Sequence, residues 1–87
     1  MNKIEIYISQ TCPYCVKAKK LLQTLGLEYE EHDVSDTFDK MCEDLEKRFN
    51  KKIMTIPQII INDKYVGGFD DLNALYRAGE LNSYLNE

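Results

Sequence analysis

Membrane-spanning length is missing: no apolar run in the 87 residues approaches the roughly 18 that a spanning helix needs. The start, Met1-Asn2-Lys3, leads directly into a strand-like run without the regions of a secretory signal, so a cytoplasmic location is expected. Cysteine is scarce and odd in number, three residues, not spread as in a secreted disulfide framework. Excess positive charge is also absent. Eleven Lys and Arg stand against fifteen Asp and Glu, a net charge of −4, which argues against a nucleic-acid partner. The single histidine, His32, has no catalytic constellation around it. No repeat, linker or low-complexity segment interrupts the chain, so one domain over residues 1–87 is expected.

What is present is a core and a clear order of elements. Apolar residues make up 44% of the chain, enough for a real core, and charged residues 30%, ordinary for a soluble surface. Ile4, Ile6 and Ile8 alternate, predicting a strand over 3–8. Val16, Ala18, Leu21, Leu22 and Leu25 recur at helical spacing, predicting a helix over 13–25, with Pro13 favoured at its first position and Gly26 as its C-cap. Residues 27–32 read as a second strand, with Glu28, Glu30 and Glu31 on the solvent side near a sheet edge. Ser35 or Asp36 is expected to cap the next helix, over 37–49, marked by Phe38, Met41, Cys42, Leu45 and Phe49. Residues 58–62 and 64–66 read as two strands joined by a tight turn. A helix from Asp70 and a short terminal helix after Gly79 complete the chain. Strand, helix, strand, helix, strand, strand, helix gives an α/β fold. Its four-stranded mixed sheet is flanked by helices, the first two strands parallel and the last two antiparallel.

The chemistry gathers at Thr11-Cys12-Pro13-Tyr14-Cys15. Two cysteines separated by two residues can close a small disulfide or ligate a metal. Here they stand where a strand ends and a helix begins, the context of a redox motif. Zinc wants four ligands, and only Cys42 and His32 remain, in no second pair of the usual spacing, so no metal is expected. At a helix N-terminus the unsatisfied N–H groups and the positive dipole end stabilise an anion, and the thiolate is the nucleophile. Cys12 is therefore expected to attack a disulfide. Cys15, about one turn further in and less exposed, is expected to resolve the mixed disulfide. Pro13 stiffens the intervening turn and Tyr14 covers part of it. Lys17, Lys19 and Lys20 add positive charge nearby. Cys42 falls on the apolar stripe of its helix and reads as packing. Tyr7, Tyr65, Tyr76 and Tyr84 also read as packing, and Tyr14 alone is placed to touch a substrate.

Three further features join the dithiol: Thr55-Ile56-Pro57-Gln58, Gly67-Gly68-Phe69-Asp70-Asp71 and the order of elements. Together they make the chain similar to the dithiol glutaredoxins, with Cys-Pro-Tyr-Cys at the active site, over about residues 3–85. The resemblance implies a thioredoxin-like (glutaredoxin) fold and a monomer. It implies a thiol–disulfide oxidoreductase with no tightly bound cofactor and glutathione as co-substrate. It also implies a cis bond before Pro57, Ile56 pairing with the cysteine residue of glutathione, and Gly68, Phe69, Asp70 and Asp71 holding the γ-glutamyl end. Protein disulfides and glutathionylated proteins are the implied partners, ribonucleotide reductase among them. Many members carry a lysine three residues before the first cysteine; Ser9 stands there, and Lys51 or Lys52 is a candidate replacement. Two alternatives stay open. One is a glutaredoxin-like protein reduced by thioredoxin reductase; the other is an iron–sulfur scaffold, which Pro13 disfavours.

Overall fold

In the computed structural model of the chain, residues 2–85 are described; Met1, Asn86 and Glu87, the ends of the expected 1–87 domain, lie outside the described residues. The sheet is built around β1 (Ile4–Ile8). It pairs in parallel with β2 (Glu30–Asp33) and antiparallel with β3 (Gln58–Ile61), and β3 pairs antiparallel with β4 (Lys64–Gly67). The order β2-β1-β3-β4 leaves β2 at an edge, where the adjacent Glu30 and Glu31 are both exposed although they point to opposite faces.

Alternation along β1 sends Ile4, Ile6 and Ile8 to one face, where they meet Ala18 and Leu22 of α1 (Pro13–Thr24) and Leu72 of α3 (Phe69–Arg77). Tyr7 points to the other face and packs with Met41 and Leu45 of α2 (Phe38–Phe49). Helices thus cover both faces. That is why β3 reads as an unbroken isoleucine run: Ile59 and Ile61 enter one cluster and Ile60 the other, each fully buried. The result is a four-stranded mixed sheet between helical layers, the thioredoxin-like fold.

Three expectations are corrected locally. The second strand begins at Glu30, not at residue 27. The Leu27 N–H closes the end of α1 on Leu22 O at 3.0 Å and the Gly26 N–H bonds Gln23 O, with Gly26 at φ +71. The backbone at 27 is therefore occupied by the cap rather than by the sheet. Second, α2 is capped by Thr37, with no side-chain hydrogen bond. Ser35 is engaged elsewhere, its hydroxyl donating to Asp33 Oδ1 at 2.6 Å. Third, the terminal element is a single 3-10 turn, Leu81–Tyr84, with Leu81 seated in the core. No helix among the described residues is long and apolar enough to cross a membrane.

Candidate active site

Cys12 is the N-cap residue of α1, and its sulfur occupies the position that a serine or aspartate oxygen usually takes. The Cys15 N–H donates to Cys12 Sγ at 3.2 Å, and Pro13 fills N1, where a missing N–H costs nothing. The sulfur therefore sits at the positive end of the helix dipole with a backbone donor aimed at it. On its other side Cys12 Sγ lies 3.8 Å from Ile56 O, the carbonyl just before the cis Ile56–Pro57 bond. Both cysteines are free thiols.

Cys15 differs sharply from its neighbour. It is 1% exposed, packed into the α1 side of the core. Burial, followed by its hydrogen bond to Cys12, pushes its pKa up to about 12; a backbone hydrogen bond from Ser9 and the charge of Lys19 oppose this. Lys19 is itself paired to Glu31 at 3.2 Å. Cys42 is half-buried against the α2 cluster, and burial, then Glu46 and Asp39, push its thiol up too. It lies away from the dithiol, in packing.

Beside Cys12 opens a hollow of about 250 Å³ lined by Tyr14, Thr55, Ile56, Pro57, Gln58, Tyr65, Gly68, Phe69, Asp70 and Asp71. Nine of these ten, all but Tyr65, fall in the sequence motifs, and eight of them are those expected to touch substrate or glutathione. Pro13 is exposed at the start of α1 and is not among the lining residues. Tyr14 and Phe69 form one lip, ring centroids 6.4 Å apart, with Lys17 Nζ 5.0 Å from the Tyr14 ring. Gly68 caps α3, and its N–H donates to Asp71 Oδ2 at 3.0 Å; Asp70 is exposed. One Asp71 oxygen is therefore engaged in capping.

Sequence reasoning gave no site role to two lining residues. Tyr65 was expected only to pack, yet its hydroxyl donates to Gln58 Oε1 at 2.7 Å beneath the hollow. Gln58 passed as the first residue of an apolar strand. A lone amide opening a buried isoleucine run was the available signal, because a buried polar group needs partners. The lining set contains two carboxylates and no cationic side chain, and Ser9 is half-buried. Lys51 Nζ stands 5.9 Å from the Tyr65 ring. Among the described residues no group of three or more His, Cys, Asp or Glu side chains is arranged to hold a metal ion.

A second hollow, of about 280 Å³, lies at the far end of α1 between Leu25, Leu27, Tyr76 and Leu81, remote from the cysteines.

The Glutaredoxin family profile matches residues 4–66. Glutaredoxin 3 of Escherichia coli is 40% identical over 85 residues, covering 98% of this chain and 99% of its own. The glutaredoxin of Pseudomonas aeruginosa is 40% identical over 86 residues, 99% of either chain. Among solved structures, glutaredoxin 1 from Francisella tularensis, complexed with cacodylate, is similar with a TM-score of 0.82 at 31% identity, over 94% of this chain and 99% of its own. A buckwheat glutaredoxin–glutathione complex reaches 0.81 at 27% identity, over 97% and 76%. Likeness in both sequence and fold, carried along nearly the whole length, names the chemistry of the Cys12–Cys15 pair: the chain belongs to the glutaredoxin family and is a thiol–disulfide oxidoreductase.

Proposed function

We propose that this is a glutathione-dependent dithiol glutaredoxin of the cytoplasm, one domain over residues 1–87, with Cys12 as nucleophile and Cys15 as resolving thiol. The observation that carries the reading is the setting of the Cys12 sulfur, held by the Cys15 N–H at 3.2 Å and facing Ile56 O at the edge of the hollow. The Cys12 thiolate attacks the glutathione sulfur of a glutathionylated substrate. A Cys12–glutathione disulfide forms, the old S–S bond breaks, and the substrate thiolate leaves and takes a proton. A second glutathione thiolate then releases Cys12 and oxidised glutathione. With a protein disulfide the intermediate is Cys12–S–S–protein, which Cys15 displaces as it loses its proton, leaving a Cys12–Cys15 disulfide for glutathione to reduce.

In this reading Tyr14, Thr55, Ile56 and Pro57 hold the cysteinyl part of glutathione by strand-like pairing, and Pro13 stiffens the turn. Gly68, Phe69, Asp70 and Asp71 take the γ-glutamyl end, whose ammonium suits the exposed Asp70. The Tyr65-bound Lys51 supplies the cation for the glycine carboxylate that Ser9 does not. The glutathione complex of the buckwheat relative supports glutathione as the partner. Ribonucleotide reductase is among the protein substrates proposed.

The test is a coupled assay on a glutathionylated peptide with glutathione, glutathione reductase and NADPH, run beside one with thioredoxin reductase. Turnover in the first that vanishes in Cys12→Ser supports the reading. Activity surviving Cys12→Ser sinks the mechanism, and turnover only with thioredoxin reductase transfers the electron source.

A further inference from the structure

Gln58 and Tyr65 line the hollow and are bonded to each other, and Gln58 is bonded in turn to Thr55 in the loop before Pro57. We propose that they form a positioning relay that orients the Thr55–Ile56 peptide, and so set how tightly the groove holds an extended thiol-bearing backbone. This rests on the glutathione reading above.

Gln58 is 2% exposed, and every polar atom of its side chain has a partner. Its Nε2 donates to Thr55 O at 2.9 Å and to Thr55 Oγ1 at 3.2 Å, while Oε1 accepts from the Tyr65 hydroxyl at 2.7 Å. These contacts select one orientation of the amide. Turning it over would set Oε1 against Thr55 O, two acceptors facing each other. The Tyr65 hydroxyl, donating from the opposite side, favours the orientation in which Nε2 faces the loop.

The consequence reaches the groove through the peptide plane. Ile56–Pro57 is the only cis bond among the described residues, so Thr55–Ile56 is trans. In a planar trans peptide the carbonyl and the next N–H point opposite ways. With Thr55 O drawn to Gln58, the Ile56 N–H is turned away from it. The next carbonyl, Ile56 O, already faces Cys12 Sγ at 3.8 Å. A bound extended chain needs just such a donor and acceptor presented together. Neither Gln58 nor Tyr65 is hydrogen-bonded to the sulfur, so the relay acts on binding rather than on the thiol exchange. The Tyr65 ring packs against Phe49, ring centroids 5.5 Å apart, with Lys51 Nζ 5.9 Å from its centroid.

Tyr65→Phe, Gln58→Met and the double variant test this by steady-state kinetics on a glutathionylated peptide with glutathione, with a thermal melt of each. Each single change is expected to raise KM about threefold to tenfold, the effect of one lost hydrogen bond, with kcat within about twofold. The double variant should match Gln58→Met alone, because a broken relay leaves the tyrosine hydroxyl nothing to orient. A wild-type KM in Tyr65→Phe, independent effects that multiply, or a fall in kcat and melting temperature without a change in KM would each overturn the relay. No glutathione-dependent turnover by the wild type would remove the glutathione reading itself, and the relay with it.

Discussion

Two thiols three residues apart divide the chemistry between them because one caps a helix and the other is sealed beneath it. Cys12 offers its sulfur to solvent and to a backbone donor, whereas Cys15 is 1% exposed and meets mainly apolar neighbours. With its pKa at about 12, Cys15 keeps its proton through the neutral range, leaving Cys12 as the thiol free to attack. Burial is the largest cause, so it persists when Cys12 is removed. In a Cys12→Ser, Cys42→Ser variant, thiolate absorbance should therefore show no step below about pH 9. A step near neutrality would refute the division. The sign for stability follows. A raised folded pKa is a contribution complete below the unfolded thiol's value of about 8.5, and lost as pH rises from there towards the folded value.

At the scale of elements, the site is a meeting of ends: the start of α1, the loop into β3 and the start of α3. Gly67 shows how little room is left where β4 turns into α3. It has φ +117, and a Cβ there would collide with the Asp71 carboxylate that caps the helix. Gly67→Ala should cost about 1–3 kcal/mol in urea denaturation and weaken glutathione binding, since the Gly68 N–H would lose its partner. Stability equal to wild type would count against the clash.

The loop before α1 has its own anchor. Asp33, at the end of β2, accepts from the Ser35 hydroxyl and backbone N–H and from the Gln10 side chain, which lower its pKa to about 2. A depressed folded pKa means the tether is intact above the unfolded value of about 3.9 and is lost as pH falls through about 2. A carbon-13 titration of the side-chain carboxyls should find Asp33 still ionised at pH 3. Half-protonation near pH 4 would show that the three donors do not hold it. None of this was legible at Ser35, which read as a helix cap. Local sequence shows that a hydroxyl precedes a helix, not which acceptor stands beside it.

Across the whole molecule, the two helical layers are joined to the sheet differently. The face under α1 and α3 is apolar, while the face under α2 includes a charge. Glu5, 6% exposed on β1, receives both arms of Arg48 from α2, at 3.3 and 3.2 Å, and Arg48 also meets Asp63 at 2.6 Å. Breaking a fully buried pair costs about 3–5 kcal/mol because the remaining charge is stranded. Arg48 is 34% exposed, so Arg48→Met should cost about 2 kcal/mol in urea denaturation, and adding Glu5→Gln should recover more than half. An unmoved midpoint for Arg48→Met would show that water already screens the pair.

The sequence by itself determined the order of elements, the isoleucine run as a strand and the dithiol at a helix start. These follow from periods of 2 and 3.6 residues and from covalent spacing, which neighbouring residues carry. Through the resemblance to the glutaredoxins it also pointed to eight of the ten residues around the hollow, from Tyr14 to Asp71. Only the tertiary structure decided that Cys12 faces Ile56, 44 positions away, that Arg48 reaches Glu5 across 43, and that Tyr65 completes the amide of Gln58. Each of these is a polar group finding its partner after distant segments have packed. Packing is chosen by the sum of many contacts, so no local pattern announces which partner a buried group will meet.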